Sequence, residues 1–80
     1  MIYYAKIEAE LLRAKEKHPI WPKNIHAQNT VLVEEVGEVS KAILHYQYEK
    51  GPFDDIEKEL IQTASMCLRM LENLRGTEVP

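Results

Sequence analysis

The chain has 80 residues, 45% of them hydrophobic, with a formal net charge of −3 and one cysteine. That is one small domain, and a domain this short buries only about 60% of the surface its unfolded form exposes. The acidic balance excludes the basic face of a nucleic-acid polymer binder, no apolar stretch is long enough to span a membrane, and a lone cysteine makes neither an internal disulfide nor a thiolate metal cluster.

The opening residues, MIYYAKIEAELL, lack the basic–apolar–small order of a signal peptide, so a cytoplasmic protein is expected. Small helical chains commonly complete their core by association, which predicts a dimer or larger assembly.

Apolar spacing predicts a first helix over about Ile2–Lys17, with Tyr4, Ile7, Leu11 and Ala14 on one stripe. The segment HPIWPKN, residues 18–24, carries two prolines and must interrupt it. A second helix is predicted over about Ile25–Glu49, with Leu32, Val36, Val39, Ile43 and Tyr46 as its stripe. Val33 and Leu44 widen the apolar arc on one side and Val31 on the other. An arc covering more than half the circumference needs several partners, and the excess reads as an oligomer interface.

The segment KGPFDD, residues 50–55, ends this helix, with Gly51 as its C-cap and Asp54 or Asp55 as the next N-cap. A third helix is expected over about 54–74, its core-facing stripe being Ile56, Leu60, Ala64, Cys67, Leu71 and Leu74. On that stripe Cys67 reads as a small buried hydrophobe. Gly76 and the following TEVP read as a frayed tail. Nothing alternates long enough for a sheet. The class is all-α: a single three-helix domain over residues 1–80 whose sequential helices are antiparallel.

The stretch VEEVGEVSKAI, residues 33–43, places Glu34, Glu35 and Glu38 within five residues, with Gly37 between them weakening the helix. Glu35 and Glu38 are three apart and share one side of the helix, at the margin of the apolar arc. Glu59 and Gln62 are also three apart and flank the stripe of the third helix. Facing one another, the two pairs would offer a hard cation such as Mg²⁺ the oxygen ligands it needs. The cation would relieve the repulsion within the cluster and attract a polyphosphate. The plainer reading is a solvated glutamate face, since glutamate is a common surface helix former.

The segments EEVGEVSKAI and KELIQTASMCLRMLE together resemble the MazG-like, all-α nucleoside triphosphate pyrophosphohydrolases, whose signature is Glu-Glu-x-x-Glu, a spacer, then Glu-x-x-Asp. The resemblance covers about residues 21–74, and WPKN before the long helix is similar to the short members of that family. It implies a helical bundle completed by dimerisation, often further to a tetramer. It implies Mg²⁺-dependent cleavage of a nucleoside triphosphate between the α and β phosphates, with Mn²⁺ able to substitute. The matching metal ligands are Glu35, Glu38, Glu59 and Gln62, with Glu34 as a helper acid, and Glu34 or Glu38 would orient the attacking water. Gln62 stands where the family pattern has Asp; its carbonyl can ligate Mg²⁺ but brings no charge and cannot act as a base.

Four further residues are candidates for substrate binding. Trp21 is either a stacking platform for a base or a plug of the loop onto the core. Asn24 is either a reader of a base edge or the N-cap of the second helix. Lys41 and Lys58 either hold phosphates or pair with nearby glutamates. The leading expectation is therefore an enzyme acting on a nucleotide. The alternatives are a nucleotide- and metal-binding module weakened by Gln62, and a plain oligomerisation domain.

Overall fold

The computed structural model describes residues Met1–Pro80. Three α-helices, α1 (Ile2–Lys17), α2 (Ile25–Glu49) and α3 (Asp54–Asn73), are followed by a 3-10 turn at Leu74–Gly76. The punctuation read from the sequence sets these bounds. Asn24 caps α2, its Oδ1 accepting from the backbone N–H groups of His26 at 2.9 Å and Ala27 at 3.2 Å. Lys50 ends α2 in the left-handed region, with φ at 59°. Gly51 follows it under the His45 ring, and a Cβ there would lie 2.7 Å from the imidazole Cγ. The turn needs glycine for that close approach. The N-cap of α3 is Phe53 and makes no side-chain cap bond; Asp54 and Asp55 instead occupy the first turn, where their charge suits the helix dipole.

α3 is the middle helix. It packs against both α1 and α2, whereas no Cα pair of α1 and α2 comes within 8 Å. Ion pairs from Lys6 to Glu57 at 3.5 Å and from Lys15 to Glu72 at 2.7 Å show α1 and α3 running in the same direction. The three helices thus lie as a layer with two faces. Its radius of gyration is 13.8 Å, against about 12 Å for a compact chain of this length.

The expected core stripe of α3 points the wrong way for a self-contained domain. Leu60, Leu71 and Leu74 are 52%, 64% and 42% exposed, and Cys67 is exposed rather than buried. What α3 turns inward is a polar arc: Ser65 and Arg69 are buried, and Met66 lies among them. The other buried apolar residues are Leu11 and Ala14 of α1. Val33, Val36, Ile43 and Leu44 of α2 are also exposed. At 100° per residue these four share one side of α2, while Leu60 and Cys67 line apolar grooves between α3 and α1. The accessible surface is 6016 Å², roughly 1,000 Å² more than a monomeric fold of 9.3 kDa normally retains. No helix is long and apolar enough to cross a membrane.

The C-terminal segment is tied down, not frayed. The Glu78 N–H donates to the Lys23 carbonyl at 2.7 Å, and the Ile25 N–H donates to the Glu78 carbonyl at 3.0 Å. Behind this bridge lies Gln28, only 1% exposed. Its Nε2 donates to the Pro22 carbonyl and to Thr77 Oγ1, both at 2.9 Å. One amide therefore joins the proline-rich linker, the start of α2 and the tail. Replacing Gln28 with Ala leaves these acceptors without their donor. We expect a loss of about 2 kcal/mol, a fall in Tm of roughly 10 °C, and faster hydrogen exchange at the Ile25 and Glu78 amides than in the middle of α3.

Candidate functional site

The polar arc of α3 floors a cavity of about 500 Å³. α1 contributes Glu10, Arg13, Ala14 and Lys17; α2 contributes Val31, Glu34 and Glu35; α3 contributes Gln62, Ser65, Met66 and Arg69. The linker closes one end with His18, Ile20, Trp21 and Pro22.

Glu35 is the most strained of the acids. It is half-buried, and its Oε2 is enclosed without a hydrogen-bond partner. Its pKa is raised above the ordinary carboxylate value, first by desolvation and then by the charges of Glu59, Glu38, Glu10 and Glu34 in that order. The charge of Glu59, on the facing helix, weighs more on Glu35 than that of Glu38 on the same helix. The two acid pairs do not form a finished cradle: no three His, Cys, Asp or Glu side chains converge closely enough to hold a metal ion. Gln62 and Glu34 line the cavity, while Glu38 and Glu59 stand outside its wall. Glu34 and Glu38 are exposed and Glu59 is half-buried.

Of the four candidate substrate residues, only Trp21 lines this cavity. Asn24 is spent as the N-cap of α2. Lys41 and Lys58 are exposed, lie outside the cavity wall and form no ion pair with a glutamate. Lys58 is near enough to help depress the pKa of Glu10, although the hydrogen bond from Arg13 is the largest cause of that shift. The cavity's cations are instead Arg13, Lys17 and Arg69, none of which the sequence reading selected. A signal was present: Gln62, Ser65 and Arg69 are spaced three and four apart, and Arg13 and Lys17 four apart. Those are polar stripes on single helix faces, which look like solvated faces until a partner helix is laid over them. His45 lies on Gly51 and takes no part in the cavity.

No family model, no curated protein and no solved structure matches the chain.

Glu35 makes a test of the electrostatics. A carboxylate whose folded pKa is raised adds most stability when protonated, below the ordinary value of 4.5, and that stability is lost as pH rises through the folded value. Glu35→Gln is therefore expected to raise Tm at neutral pH by a few degrees, a gain of about 1 kcal/mol. The difference from wild type should vanish as pH falls toward 4.5. Comparing the two proteins cancels the opposite contribution of Glu10, whose depressed pKa costs stability on acidification.

Proposed function

We propose that this chain is a homo-oligomeric, Mg²⁺-dependent nucleoside triphosphate pyrophosphohydrolase, similar to the MazG-like enzymes and acting on free nucleotides in the cytoplasm. The observation that carries the reading is Glu35: a half-buried, unpartnered carboxylate pressed by four others beside a cavity large enough for a ligand. An acid held where its charge is disfavoured is the kind of group a divalent cation stabilises.

The donor chemistry fits Mg²⁺. Glu35, Glu38, Glu59 and Gln62 offer hard oxygens from two rigid helices, with one carboxylate oxygen already orphaned. When bound, Mg²⁺ supplies charge neutralisation at the phosphates and a more acidic water. Glu34, which lines the cavity, would accept a hydrogen bond from the attacking water in this reading; Glu38, one turn on, is the other candidate. Ser65 and Gln62 offer a hydroxyl and an amide to orient the substrate.

A second copy would cover the apolar face. The surface excess of roughly 1,000 Å² per chain exceeds the ~800 Å² that each partner contributes to a standard interface. None of the exposed apolar residues of α2 and α3 named above lines the cavity, so association through them leaves its acids open to substrate. Size-exclusion chromatography with light scattering is expected to give a dimer or tetramer. Leu60→Glu with Leu71→Glu should return it toward the monomer.

One observation favours a weaker second reading. Gln62 brings no charge, and the acids do not converge on their own, which fits a module that binds nucleotide and metal without turnover. A panel of canonical and modified nucleoside triphosphates with Mg²⁺ or Mn²⁺, scored for pyrophosphate and orthophosphate, separates the two. Pyrophosphate is expected from at least one nucleotide, abolished by EDTA and cut at least about 100-fold by Glu35→Gln. A thermal shift with nucleotide and metal but no product would support the binding module instead. Gln62→Asp would then be expected to gain activity.

A further inference from the structure

Arg69 is 4% exposed, yet it forms no ion pair with any carboxylate. Its one protein acceptor is the His18 carbonyl, reached by Nη2 at 2.7 Å. Its guanidinium lies over the Trp21 ring, 5.0 Å from the centroid. A clamp on the linker would use that one bond and that one face. A guanidinium carries five N–H donors, and those that the His18 carbonyl does not take are not enclosed but open on the cavities that Arg69 lines. Beside it, the Trp21 indole N–H is enclosed without an acceptor. A guanidinium with free donors and an indole N–H without a partner thus meet at the linker end of the cavity.

Two further cations and the carboxylate of Glu10 line the same cavity from α1. Lys17 and Arg13 line the cavity from the last turns of α1, and Lys17 has no carboxylate partner. Arg13 is held by Glu10 through two bonds, its Nε donating to Oε2 at 2.9 Å. The cavity therefore has an acidic wall from α2 and a basic end from α1, α3 and the linker.

We infer that Arg69, with Lys17, Arg13 and the Trp21 indole N–H, forms an oxyanion site that takes phosphate groups of a polyphosphate ligand. The planar fork of an arginine matches phosphate oxygens two at a time, and the stack on Trp21 fixes its plane. Only the assignment to a substrate rests on the nucleotide-hydrolysing reading: there, this end of the cavity holds the terminal phosphates that leave as pyrophosphate, while the acid wall holds the metal. The binding itself requires neither metal nor turnover.

Trp21 is the only tryptophan of the chain, so its emission reports directly on the site. The test is a titration of the intact protein with inorganic pyrophosphate in buffer containing EDTA, following Trp21 fluorescence and Tm together. A saturable change in both is expected. Arg69→Lys, which keeps the charge and loses the fork, should weaken binding at least about tenfold. Lys17→Gln, at an exposed position, should weaken it too and serves if the Arg69 variant does not fold. Glu35→Gln should leave pyrophosphate affinity unchanged or tighter, because it removes charge from the opposite wall. A nucleoside without phosphate should give no comparable response. Silence with pyrophosphate, binding only when Mg²⁺ is added, undiminished binding in both basic-residue variants, or an equal response to the bare nucleoside would each overturn the site. Failure of nucleotide turnover would not, so the two readings stand or fall separately.

Discussion

Because α1 and α2 never meet, every helix–helix contact of the bundle passes through α3. Its circumference is therefore divided in four: one flank for α1, one for α2, and two arcs left between them. The chain fills one arc with Gln62, Ser65 and Arg69 and the other with Leu60, Cys67 and Leu71. This division governs what else the molecule can do. The polar arc cannot be closed by packing, since its groups need acceptors, so a cavity remains above it. The apolar arc cannot stay in water without cost, so it asks for cover from outside the chain. A fourth helix crossing either arc would remove the cavity or the exposed face.

The limits of the helices were legible in the sequence because local chemistry sets them. Proline cannot continue α1, Asn24 bonds the free amides of α2, and Gly51 tucks under His45. The direction of the α3 stripe was not legible. The widest apolar stripe is normally read as facing the chain's own core, and that holds only when the chain supplies enough helix to cover it. Here it does not, and Cys67 and Leu71 face outward while Arg69 is buried. The acids were partly legible. Spacing put Glu35 and Glu59 at the edges of their helices, and the charge of Glu59 does reach Glu35 across the α2–α3 contact. What spacing could not reveal is that α1 passes on the same side and brings Arg13 and Lys17 into the cavity. That depends on packing between segments more than forty residues apart.

The electrostatics of the cavity also follow from placement more than from composition. The net charge of −3 says little about a cavity whose walls differ in sign. Glu35 is held above its usual pKa chiefly because water is kept from it, with the neighbouring carboxylates adding to the effect. Glu10, one helix away, is held below its own because Arg13 donates two bonds to it. Two glutamates lining one cavity thus differ in proton affinity for reasons found in their immediate neighbours.

The tether at Gln28 has a consequence in time. Thr77 accepts from an amide 49 residues earlier in the chain, and Arg69 reaches a carbonyl 51 residues away. The α2–α3 hairpin, by contrast, is built from neighbours along the chain. Contacts between distant segments form late, after the local ones. During folding the α2–α3 hairpin can therefore assemble before Thr77 and Glu78 have docked, while the linker that carries Trp21 still lacks its anchor. Helical content and a competent cavity are acquired at different moments. A chain in which Glu78 has not yet docked would have nearly all of its helix and an unfinished cavity wall.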